Sequence, residues 1–131
     1  MSDSIDYGSY EATVEKSKAL EIDIQKNPTT YRVLTGDRPT GRLHIGHLFG
    51  SLQNRVRLSS LGVTTFIVIA DYQVLTDRTT FESIAENTKE LTIDYLAAGL
   101  VPGSSTIIFP HSHIPELNQL LLPFLTLVTN A

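Results

Sequence analysis

Four histidines stand in this 131-residue chain, and two of them, His44 and His47, are spaced so that they can do chemistry together. They close the run Gly36-Asp37-Arg38-Pro39-Thr40-Gly41-Arg42-Leu43-His44-Ile45-Gly46-His47. A separation of three puts both imidazoles on one face of a helical turn, where each can donate to a phosphate oxygen. The glycines let backbone approach a ligand closely, and the first amides of a helix carry partial positive charge suited to phosphate. Gly46 leaves space beside the histidines where a base or a ribose can pack. On spacing alone two other readings stay open, a surface turn with solvated histidines and a pair of metal ligands. A second polar group, Asp71-Tyr72-Gln73, follows an apolar run. There Asp71 is either a cap or structural hydrogen bonder, or a carboxylate facing a ligand. A third group holds His111 and His113, which a strand end would place on one side. With the first pair they make a four-histidine metal site conceivable.

The elements that must position these residues alternate. Residues 1–10 read as a loose tail and 11–26 as a peripheral helix without a strong apolar stripe, closed by Asn27-Pro28. Tyr31-Arg32-Val33-Leu34-Thr35 is rich in β-formers and stops at Gly36, the first strand. From His44 to about Leu61 the apolar positions Ile45, Leu48, Phe49, Leu52, Val56 and Leu61 recur at helical spacing. Thr64–Ala70 is a continuous apolar, β-branched run of the kind buried on both faces of a parallel sheet, ended by Asp71. Ile84, Thr88, Leu91, Tyr95 and Ala98 step by fours and threes, a helix stopped at Gly99. Thr106-Ile107-Ile108-Phe109 is a third short strand, and Pro115 opens a helix apolar almost all round, with Pro123 within it. Strand–helix repeated three times without a hairpin signal predicts an α/β fold, a Rossmann-like parallel sheet with right-handed crossovers. In such sheets ligands bind at the carboxyl ends of the strands. The three polar loops, Gly36–Leu43, Asp71–Asp77 and Pro110–Pro115, leave those ends.

Composition narrows the class without naming a function. With 41% hydrophobic and 18% charged residues the chain can build a core. No run reaches the roughly 18 to 20 apolar residues of a membrane span, and the start lacks the pattern of a secretory signal. Zero cysteines exclude disulfides, thiolate metal sites and cysteine nucleophiles, and fit a cytoplasmic setting. A net charge of −4 gives no global attraction for nucleic acid.

Pro39-Thr40-Gly41, Leu43 and His44-Ile45-Gly46-His47 resemble the signature of class I aminoacyl-tRNA synthetases. The segments Thr35–Gly41, Ile69–Asp77 and His111–Leu117 resemble, in order, the tryptophanyl branch, in its bacterial variant with a full His-Ile-Gly-His tetrapeptide. The tyrosyl branch is the close alternative; Gln73-Val74-Leu75-Thr76 and the third-strand segment fit the tryptophanyl one better. The resemblance implies activation of tryptophan by ATP, with Mg2+ bound through ATP rather than at a dedicated protein site, and transfer of the aminoacyl group to tRNA. It makes His44 and His47 the catalytic pair on the ATP phosphates, with Arg38, Pro39, Thr40, Gly41 and Gly46 bordering the nucleotide. It sets Gly36, Asp71, Tyr72 and Gln73 beside the amino acid, and assigns no metal ligands.

The same resemblance predicts more chain than is present. A lysine-rich loop and an anticodon-binding domain are expected downstream, while the four lysines here, Lys16, Lys18, Lys26 and Lys89, form no such loop. The expectation is therefore a tail and peripheral helix over 1–30, then a partial catalytic domain over 31–131, inactive alone. A non-catalytic nucleotide-binding or dimerising module is the competing reading. The apolar last helix predicts a homodimer, since an all-apolar helix must be buried and a self-complementary patch closes on a two-fold axis.

Overall fold

The computed structural model describes residues 7–77, 83–103 and 105–127. Three strands, β1 (Arg32–Asp37), β2 (Thr64–Ile69) and β3 (Thr106–Pro110), form one parallel sheet in the order β1-β2-β3. This is the order of the first half of a doubly wound sheet. The register pairs Asp37 with Ile69 and Ile69 with Pro110, so the three carboxyl ends are level. β1 runs two residues beyond Thr35, the expected last residue, because Gly36 and Asp37 still pair with Val68 and Ile69.

Seven helices accompany the sheet among the described residues: α1 (Tyr7–Lys26), α2 (Ile45–His47), α3 (Gln53–Ser60), α4 (Asp71–Asp77), α5 (Ile84–Ala97), α6 (Pro115–Gln119) and α7 (Leu121–Leu127). α1 begins by Tyr7 rather than near residue 11, and residues 1–6 lie outside the described part. It is tied to the body by polar contacts: the two terminal guanidinium nitrogens of Arg57 donate to Glu21 at 2.7 and 3.1 Å, and the Tyr31 hydroxyl donates to Asp23.

The helix expected from His44 to Leu61 is interrupted. A π-helical turn at Leu48–Leu52 joins α2 to α3. Such a turn adds a residue and rotates the helix before it relative to the helix after it. Leu52, Arg55 and Leu58 therefore face the sheet, while Ile45 and Phe49, two of the apolar positions at helical spacing, are 69% and 64% exposed.

Thr65, Ile67 and Ile69 turn one sheet face toward Leu52, Leu91, Tyr95 and Leu100, and this is the core. Burying a side chain the size of Leu91 is worth about 2 kcal/mol. On the other face the register aligns Leu34, Phe66 and Ile107, then Gly36, Val68 and Phe109. That face stays half open, with Leu34 71% exposed.

Three further expectations are corrected. The second polar loop is a helix, α4, that starts on Asp71. His111–His113 forms a 3-10 turn rather than a strand end, so the two histidines do not alternate on one side. The last helix is two, broken at Leu120. Pro123 has no N–H to give to an intrahelical bond and its ring crowds the preceding turn. Restarting at Leu121 puts it in a first turn, where no N–H is required, and Phe124 N–H donates to Leu120 O at 3.1 Å. No helix among the described residues is long and apolar enough to cross a membrane.

Candidate functional site

The loop from Arg38 to His44 leaves β1 at the level edge and turns into α2. Thr40 N–H donates to Arg38 O at 2.8 Å, a tight local turn. Gly41 sits at φ +141 with open space where a side chain would stand, so the position requires glycine and leaves room beside the backbone. Arg38 and Thr40 are exposed. Pro39, expected to border the nucleotide, is fully buried instead and shapes the loop from beneath.

His44 and His47 cap their own helix. His44 Nδ1 accepts from Gly46 N–H at 3.1 Å, and His47 Nδ1 accepts from His44 N–H at 3.2 Å. This is a capping box built from imidazoles. The rings lie 4.0 Å apart, tilted by 55°. A neutral imidazole that accepts through Nδ1 carries its proton on Nε2. Both rings are thus held in one tautomer, with an Nε2–H donor on each. Gly46 serves this arrangement directly, since a Cβ there would stand 2.9 Å from His44 Cε1 and displace the capping ring.

Behind the loop lies a charged group that sequence reasoning missed. Arg55 donates to both Asp37 carboxylate oxygens, at 2.6 and 3.2 Å, and the Tyr95 hydroxyl donates to Asp37 Oδ2 at 2.7 Å. Burial works to raise the Asp37 pKa, but the bonds from Arg55 and Tyr95 outweigh it and hold the carboxyl below its ordinary value. For Tyr95, burial and the Asp37 bond act together and push the phenol well up. Bidentate geometry fits a guanidinium and not a lysine.

At the ends of β2 and β3 the second group assembles. Asp71 Oδ1 accepts from Tyr72 N–H and Ser112 N–H, both at 3.0 Å, so this carboxylate ties the two strand ends together. Tyr72 and His111 meet edge to face at 5.1 Å. The Gln73 amide lies 3.2 Å from His111 Nδ1. They open on a cavity of about 550 Å3 walled by Leu117, Leu120, Leu121 and Phe124. Apolar walls with a few polar groups suit a large apolar side chain that carries one hydrogen-bonding atom. Gly36 lies inside the sheet, where a Cβ would come within 2.0 Å of Val68 O, so close strand approach alone demands glycine there. His111 joins this group through Tyr72 and Gln73, whereas the sequence raised it only as one of four histidines that could hold a metal. His113 lines a different cleft, with Asp71, Thr88 and Ser112. Among the described residues no three His, Asp or Glu side chains are grouped to hold a metal ion.

With this geometry in view, comparison with known proteins is specific. The family model described as tRNA synthetases class I (W and Y) matches residues 26–131. A tryptophan–tRNA ligase of Clostridium longisporum is 54% identical over 99 residues, 74% of this chain and 29% of the relative. One from Streptococcus agalactiae is 50% identical over 101 residues, again 29% of its length. The chain thus spans under a third of these relatives. Among solved structures, tryptophanyl-tRNA synthetase from Campylobacter jejuni, in complex with ADP and tryptophan, superposes with a TM-score of 0.68 at 26% identity, covering 75% of this chain and 30% of that one. Tyrosyl-tRNA synthetase from Archaeoglobus fulgidus gives 0.63 at 25%, over 76% and 32%.

Proposed function

Since the chain belongs to the class I tRNA synthetases of the tryptophan and tyrosine group, we propose that it carries the ATP- and tryptophan-positioning part of a tryptophan–tRNA ligase. The observation that carries this reading is the histidine capping box, which spends both Nδ1 atoms on the helix start and leaves two Nε2–H donors. Donors fixed in advance stabilise negative charge without reorganising as it develops.

In this reading His44 and His47 donate to ATP phosphate oxygens as the tryptophan carboxylate attacks the α-phosphorus. The new bond joins carboxylate oxygen to phosphorus, the bond to the bridging oxygen breaks, and pyrophosphate leaves with the electron pair. The tryptophanyl group is then passed to a ribose hydroxyl of tRNA. ATP enters as its Mg2+ complex, the ion travelling with the substrate. Arg38 and Thr40 border the phosphates, Gly41 and Gly46 leave room for the nucleoside, and Pro39 supports the loop. Gln73 and Tyr72 face the amino acid from the strand ends. Asp71 and Gly36 act one step back, by joining the strand ends and by letting β1 approach β2. The reading implies a cytoplasmic enzyme that works as a homodimer through α6 and α7.

The test is a chimera in which this chain's matching 99 residues replace those of the Clostridium longisporum ligase. It should sustain tryptophan-dependent ATP–pyrophosphate exchange and ignore tyrosine, while residues 1–131 alone give no more than trace exchange. A folded chimera without exchange, or one that prefers tyrosine, would overturn the proposal.

A further inference from the structure

The loop that carries the nucleotide contacts is held at both ends by one helix. At its start, the Tyr95 hydroxyl of α5 donates to Asp37 Oδ2 at 2.7 Å. At its end, Leu43 N–H donates to Asp94 Oδ2 of α5 at 2.8 Å. Between them Arg42 reaches Glu90, one turn earlier on α5, at 2.6 Å. The three contacts differ in weight. The Arg42 side chain is 76% exposed, and an ion pair so solvated contributes little. Tyr95 is fully buried, and Asp94 is half-buried, so their bonds form away from bulk water and are the stronger ties. α5 is itself immobilised by the core through Leu91 and Tyr95.

We propose that Asp94 and Tyr95 are positioning residues for the ATP loop, holding residues 37–43 in the binding conformation before nucleotide arrives. This rests on the reading of the loop as an ATP site. Its logic is entropic: a loop ordered in advance loses less freedom on binding, so more of the contact energy appears as affinity. Neither residue touches nucleotide in this scheme. Asp94 acts through the Leu43 amide, one residue before His44, and Tyr95 through the Asp37 carboxylate, one residue before Arg38.

The variants are Asp94→Ala, Asp94→Asn and Tyr95→Phe in the full chain, with amide hydrogen exchange as the first readout. The Asn carbonyl can still accept from Leu43, whereas Ala cannot. Asp94→Ala should speed exchange at Leu43 about tenfold or more while the Ile67 and Ile69 amides keep their protection, and Asp94→Asn should restore it. Tyr95→Phe keeps the ring in the core and should instead speed exchange at the Arg38 and Thr40 amides, Pro39 having none, which keeps the idea testable if Asp94→Ala fails to fold. The second readout is MgATP affinity in the ligase chimera, which should fall several-fold in Asp94→Ala and Tyr95→Phe and recover in Asp94→Asn. Unchanged exchange at Leu43 and in residues 38–40 overturns the clamp. Faster exchange with unchanged MgATP affinity overturns its role in positioning. A wild-type chimera that binds no MgATP defeats the reading of the loop as a nucleotide site, while the exchange data still decide whether α5 orders it.

Discussion

His44 and His47 hold their own helix start through Nδ1, and in the proposed reading the Nε2–H of each would donate to phosphate. In the ligase chimera, His44→Ala and His47→Ala should each slow adenylate formation about tenfold or more, near 1.4 kcal/mol. Pre-steady-state single turnovers check this, and unchanged rates in both would remove the pair from the phosphate site. Asp37 belongs to the same scale but acts on stability. Its pKa is lower folded than unfolded, so its contribution is full above the ordinary carboxylate value of about 4. That contribution is lost as pH falls through the lower folded value. Asp37→Ala should cost about 3 kcal/mol near neutral pH, because it strands the buried Arg55, and should flatten the acid limb of stability. Urea titrations across pH 3–7 read both effects. The histidine pair was legible because glycine, proline and histidine in one short run carry their chemistry on their faces. Arg55 was not: an arginine in a helical stretch reads as solvent-facing, and only its contact with Asp37 reveals it as buried.

Element boundaries failed where geometry departed from a simple period. The π-helical turn at Leu48–Leu52 has no signature in a 3.6-residue pattern, and so Ile45 and Phe49 matched a core stripe they do not join. The strands, by contrast, were legible in type and order, since β-branched runs bounded by polar loops leave little else to form. A proline within an apolar helical run announces a disturbance, but nothing in the period shows that a new helix starts at Leu121. Replacing it tests that account. Pro123→Ala restores an N–H that can donate to Gln119 O, and should let α6 and α7 merge across Leu120. Backbone chemical shifts that turn helical at Leu120 would report the merger, and a persistent break would show that some other contact sets it.

At the scale of the molecule, Leu121, Leu122, Phe124, Leu125 and Leu127 of α7 all stand more than half exposed. These are the side chains that the proposed association through α6 and α7 would cover. Sedimentation at micromolar concentration should therefore find a dimer or larger species, and Leu125→Glu should shift it toward monomer by placing an unpaired charge in the contact. A wild-type monomer would refute the association.

A sheet covered on one face has a thermodynamic consequence as well. The heat capacity of unfolding measures apolar surface newly given to water. Leu34 and the leucines of α7 are already more than half exposed in the folded chain, so unfolding adds little from them. A typical chain of 131 residues would show roughly 1.6 to 2.0 kcal/mol/K. The dilute protein should fall clearly below that range, and calorimetry at rising concentration should find the value climbing toward it as association dries the surface.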